Sequence, residues 1–263
     1  TATDFPSECV GGITGSSGRC PVKYCINRGI VESCSYKPET PGKPFQAKSG
    51  GIVGFGKSDI SRCDNFGQVI ASGYNVGCAG GIVGMPHAEL CLTDCVNYGK
   101  VEGTGENGAY VGGIAGNIGR PVHIRRCMNR GDVNVAGLGQ RTRSSAGGIV
   151  GNVYCPKSSS AGAYIRNCAN FARVSSTGGE GFYTAGIVGS MEVRDDLKGF
   201  IKDCSNSGKI ITQGGRKGNI FAAAKGAVTG GILPDDDAVG VKPLANGCNV
   251  YGYVKSTSNT PVK

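Results

Sequence analysis

Apolar positions come in short bursts along this chain, set between glycines and asparagines at fixed offsets. Gly112 to Val133 reads GGIAGNIGRPVHIRRCMNRGDV, and the same phrase appears seven times with variation. Each copy opens on Gly-Gly-Ile-x-Gly or a near variant, crosses a variable loop, and closes with apolar-x-x-Cys-x-Asn-x-Gly-x-Val. The openings centre on Ile13, Ile52, Ile82, Ile114, Ile149, Ile187 and Ile232. The closing cysteines are Cys25, Cys63, Cys95, Cys127, Cys168, Cys204 and Cys248. Three positions before each stands Val22, Ile60, Leu92, Ile124, Ile165, Ile201 or Ala245, and six after it a β-branched residue, from Val31 to Val254. Two positions after the cysteine stand Asn27, Asn65, Asn97, Asn129, Asn170 and Asn206, with Val250 in the last copy.

Fixed columns joined by elastic loops have a direct physical reading. β-branched residues favour strands, and Asn and Gly suit the left-handed corners between them. A repeat every 32 to 44 residues means a solenoid, propeller or array. The expectation is an all-β chain, a β-solenoid (parallel β-helix) of about seven coils with variable loops. Ile, Cys and Val would stack into apolar ladders inside it. The odd step from the apolar residue to the cysteine predicts a bend between them. No apolar pattern at i, i+3, i+4, i+7 is sustained, so helices are not expected. Residues 1–8 read as a polar lead, 9–255 as a single repeat domain and 256–263 as a polar tail. The stretch Ser33–Lys48, with three Pro, reads as an irregular loop, and residues 213–228 as a short helix or an extra strand.

The phrase resembles the GLUG-type repeat, best seen in residues 50–54 with 60–69, 80–84 with 92–101, and 147–151 with 165–174. The resemblance spans roughly residues 9–254. GLUG repeats occur in surface and secreted proteins, including adhesin-like proteins and non-catalytic regions of large secreted peptidases. The resemblance therefore implies a β-solenoid at the cell surface or outside the cell, with no catalytic residues. The last copy departs from the pattern, with Pro234 where the opening ends in Gly and Val250 where Asn stands.

Composition changes the picture in three places. The chain has 47 Gly and no Trp among 263 residues, which suits repeated coils better than one bulky core. Of 13 Cys, six lie outside the column: Cys9, Cys20, Cys34, Cys78, Cys91 and Cys155. They read as loop cysteines and candidate disulfides of an oxidising compartment, Cys9–Cys20 and Cys34–Cys78 among the pairings, although spacing does not fix connectivity. The column cysteines read as small buried apolar side chains. With no Cys-x-x-Cys and two His, no zinc site is expected. Asp195–Asp196 and Asp235–Asp237 read as solvated turns rather than calcium ligands. No metal or cofactor is expected.

The formal charge is +9. Two positions before the cysteines, Arg125, Arg166 and Lys202 follow one another, and with Arg126 they form a candidate polyanion-binding stripe. Nucleic acid is disfavoured, because no known module appears and aromatic residues do not interleave with the basic cluster. No run of 18 apolar residues is present, so no membrane span is expected. His87 and His123 read as surface loop histidines, and no nucleophile elbow, metalloprotease or phosphate-loop motif occurs. The resulting expectation is a non-catalytic structural or adhesive solenoid, joining head-to-tail with itself through open end coils or sitting in a larger surface assembly. The alternatives are an acidic-glycan-binding module and a β-helical polysaccharide-cleaving enzyme.

Overall fold

One coil shows the plan. Val76–Gly80, Val83–Pro86, Leu90–Thr93, Val96–Asn97 and Val101–Gly105 are five short strands in succession. Their equivalents in the other coils stack on them in parallel, forming sheets one to five in that order. Among the described residues, sheet one has six strands and the other four have seven. The chain is thus the expected β-solenoid. The structure, a computed structural model, describes residues 7–36, 46–137, 144–154, 163–178, 182–193, 200–213, 232–234, 245–246, 249–250 and 254–257. Cys155, Cys248, Asp195–Asp196, Asp235–Asp237 and most of 213–228 lie outside the described residues. Ser7 and Glu8 belong to the first strand of sheet one, and Ser256 and Thr257 to the last strand of sheet five, so the solenoid includes parts of the expected lead and tail.

The interior is two cores rather than one. Sheets two, three and four enclose the first, built from Ile52, Ile82, Ile114, Ile149 and Ile187 with the residues before the cysteines and the cysteines themselves. Sheets five and one enclose the second, made of smaller side chains such as Val69, Ala79, Val101, Ala109 and Val133. Each fully buried Ile contributes about 1.5–3 kcal/mol relative to exposure, and the same position repeats coil after coil. Cys63, Cys95, Cys127, Cys168 and Cys204 are buried as expected, while Cys25 in the first coil is half-buried. Burial pushes the Cys127 thiol well above its ordinary value.

A waist separates the two cores, and the asparagines fill it. Each Asn Nδ2 donates to the Oδ1 of the Asn in the next coil, from Asn27 to Asn206, at 2.7–2.8 Å. The same Nδ2 donates to the backbone carbonyl two residues on, as Asn97 does to Gly99 at 2.8 Å. The second glycine of each opening lies across the waist from this ladder. A Cβ on Gly81 would stand 2.1 Å from the Gly113 carbonyl oxygen and 2.3 Å from Asn97 Cγ. The glycine is needed for close approach, not for an unusual φ.

The corner chemistry differs from the expectation. Asn and Gly of the closing phrase do not take the left-handed region. The residue just before the cysteine does, in six coils: Tyr24, Arg62, Asp94, Arg126, Asn167 and Asp203, with φ of 51–58°. This is the expected bend, carried by non-glycine residues at a cost of about 1–3 kcal/mol each and held by the flanking ladders. The Asn column makes its corner through its side chain.

Candidate polyanion-binding face

The outer face of sheet three carries the sequence-predicted stripe. In its strands alternate residues point inward, so Leu92, Ile124, Ile165 and Ile201 are sealed in the first core. Their neighbours point outward. Thr93, Arg125, Arg166 and Lys202 are consecutive partners in register, so the three basic positions stand about 4.8 Å apart along the axis at the backbone. Arg166 and Lys202 are exposed and Arg125 half-exposed. Among the described residues no carboxylate lies within ion-pair distance of any of the three.

A second outward column runs beside it. Cys91, His123 and Tyr164 are partners in register. The His123 and Tyr164 rings stack with centroids 4.7 Å apart and 13° between planes. Arg125 Nη2 lies 3.3 Å from His123 Nδ1, where it donates to the neutral ring. His123 is therefore a strand residue inside the face, not a loop histidine, whereas His87 does lie in a bend.

Arg126 does not belong to the stripe. Its left-handed backbone turns it onto a separate column, where its Nε and Nη2 grip the two carboxylate oxygens of Asp94 at 2.6 and 2.9 Å. That hydrogen bonding holds the Asp94 carboxyl below its ordinary value. The pair is exposed, so it is worth about 0.2–1 kcal/mol and offers no free charge.

The expected loop cysteines are mostly strand residues. Cys9 and Cys78 lie in sheet one, Cys34 in sheet five and Cys91 in sheet three, while Cys20 lies in a turn. All five are free thiols. Cys34–Cys78 fails on geometry: Cys34 faces outward from sheet five, and Cys78 sits on the side of sheet one turned away from the core the two sheets share. Cys9–Cys20 is likewise unformed. Burial pushes the Cys78 thiol up to about 12.

One ladder was missed in the sequence. Three positions after the first five cysteines stand Arg28, Phe66, Tyr98, Arg130 and Phe171. Phe66 and Tyr98 stack at 4.6 Å and 1°, Arg28 lies 4.6 Å over Phe66, and Arg130 lies 4.8 Å over Phe171. Basic and aromatic residues do interleave, then, and reading this column in register would have shown it. No group of three or more His, Cys, Asp or Glu is placed to hold a metal among the described residues.

No family model matches the chain, and no curated protein does. A solved structure of a proposed immunoglobulin A1 protease from Bacteroides ovatus is similar, at 18% identity over 92% of this chain and 68% of that one, with a TM-score of 0.48. At that level the match carries no argument about activity.

Proposed function

We propose that this solenoid is a non-catalytic binding module for acidic glycans, read by the outer face of sheet three. The carrying observation is the in-register run of Arg125, Arg166 and Lys202 with no carboxylate partner among the described residues. Basic positions about 4.8 Å apart at the backbone of a rigid sheet match a linear polymer bearing a charge on each sugar, and the stacked His123–Tyr164 pair gives an apolar edge beside them. The GLUG-type phrase of the sequence implies a surface or secreted setting for such a module. Binding to a sulfated or uronate polymer tests it. The reading expects binding at low salt that weakens steeply between about 0.05 and 0.5 M salt. Absence of binding at low salt, or binding indifferent to salt, contradicts it.

A second reading, head-to-tail self-association, has its own support. Ile13 is 48% exposed although its counterparts in the next five coils are fully buried, and Ile26 of the same coil is 53% exposed. Exposed apolar residues on this coil suit coverage by a further strand layer, from a second copy or from elsewhere in the same protein. Light scattering across a concentration series tests this reading, and particles that stay monomeric throughout remove it.

A further inference from the structure

The sheet-three stripe leaves a second set of cations unused. At the Gly-Gly step the outer faces of sheets one and two turn toward each other and form a narrow cleft. Its base is backbone on backbone: a Cβ on Gly84 would meet the Ser49 carbonyl oxygen at 2.8 Å. On the sheet-one side, Cys9, Lys48 and Cys78 are consecutive partners in register. Lys48 is 7% exposed, yet its ammonium has no hydrogen-bonding or ion-pair partner among the described residues and is not sealed from solvent. On the sheet-two side, Phe55 lies under that ammonium at 5.1 Å, and Lys57 Nζ lies 5.3 Å from the same ring. The His87 ring packs on Phe55 at 4.9 Å and 32°. Burial, Arg120, Lys48 and Lys57 together hold the His87 imidazole below its ordinary value. Asp59 and Glu89 are exposed at the same corner, and Asp59 Oδ1 accepts the Cys91 N–H. Lys57 and Arg120 have no ion pair among the described residues either.

The stem of Lys48 is packed away from water, while its ammonium faces the Phe55 ring and meets no anion among the described residues. We infer that Lys48, Lys57, His87 and Arg120 form an oxyanion site for a sulfate or phosphate monoester group at the mouth of the cleft, with Phe55 packed beneath the two lysines. Lysines act on such a group as point charges, and Arg120 adds a planar donor fork. Three cations and an imidazole drawn from three successive coils surround more directions than a planar carboxylate uses. The site shares no residue with the sheet-three stripe and does not depend on it.

The chain's two histidines make the test clean. Imidazole carbon–proton correlation spectra are recorded on the intact chain, with His87→Asn assigning the signals. Sodium sulfate, sodium phosphate and a sulfated disaccharide are titrated in turn at constant ionic strength, with chloride as the balance. The site predicts a saturable shift of His87 and not of His123, together with an upward move of the His87 titration midpoint, since a bound dianion favours imidazolium. Saturation by the inorganic ions supports a free-ion ligand, and saturation by the disaccharide alone supports an ester on a glycan. Lys48→Met, which removes the charge and should keep the fold, weakens binding about tenfold or more, and the exposed Lys57→Ala weakens it several-fold. Absence of a saturable His87 response to all three, an equal response to chloride, or unchanged affinity in folded Lys48→Met overturns the site. Arg166→Ser leaves the response intact, and its loss there would move the anion to the stripe and overturn the site as well.

Discussion

Asn129→Asp is the sharpest perturbation of the waist, because it keeps the shape of one side chain while replacing its two donors with a buried carboxyl. Asn129 is fully buried. Its Nδ2 donates to the Gly131 carbonyl at 2.9 Å and to Asn170 Oδ1 at 2.8 Å, and its Oδ1 accepts from Asn97 Nδ2 at 2.8 Å. A carboxylate keeps the acceptor role and turns both donor contacts into oxygen facing oxygen. Each lost buried donor contact costs about 1–3 kcal/mol, so a total of about 3–5 kcal/mol is expected at pH 7. At this chain length that corresponds to roughly 10 °C in Tm, at about 2–4 °C per kcal/mol. The effect depends on pH in a defined direction. The new carboxyl has a folded pKa raised above its unfolded value of about 3.9, so its protonated form restores one donor and the deficit is smallest below that value. The deficit then grows as pH rises through the folded pKa. Thermal unfolding of both proteins from pH 3 to pH 8 checks it. A Tm within about 1 °C of the parent at pH 7, or a deficit that does not change with pH, would refute the ladder as the source of stability.

Three further expectations follow from the same geometry. Gly81→Ala should cost about 3 kcal/mol or more, because both atoms its Cβ meets belong to a rigid waist; Gly18→Ala, at φ +57° with open space around it, should cost only about 1 kcal/mol, and paired melts compare them. Cys127→Asp should prevent folding or lower Tm severely by burying an unpaired charge, while Cys127→Ala should cost only about 1–2 kcal/mol; circular dichroism separates the two. Arg126→Ala should change stability by less than about 1 kcal/mol and leave glycan binding unchanged, since that guanidinium is held by Asp94 on another column.

The columns were legible because seven copies hold their spacing while the loops between them vary. Ile, Cys and Val at fixed offsets could not satisfy that register in any compact form but stacked coils. The left-handed bend was legible in position but not in identity. Asp94, Asn167 and Asp203 are residue types that tolerate the left-handed region, but Tyr24, Arg62 and Arg126 are not, so the column carries no uniform mark of its backbone. The split into two cores was hidden for another reason: it arises where Gly81 meets Asn97 across the coil, a contact between residues far apart in the phrase. Arg125 and Arg126 show how fine the limit is. They are adjacent in sequence, but the bend between them sends one to the stripe and the other to Asp94. Cys9 and Cys78 looked like loop cysteines because their column also holds Lys48, and a mixed column carries no letter pattern.

Charge reversal at one stripe residue tests the functional account most directly. Arg166 stands between Arg125 and Lys202 in register, and Arg19 is an exposed cation in the turn before sheet three begins. Arg166→Glu and Arg19→Glu change the net charge equally, so any difference between them reports position. Affinity for a sulfated polysaccharide is measured for both and for the parent over a range of salt concentrations. The account predicts that Arg166→Glu weakens binding about tenfold or more at low salt and flattens its salt dependence, while Arg19→Glu changes affinity by less than about threefold. Equal losses in the two variants would show that net charge alone draws the polymer, and would contradict a binding face on sheet three.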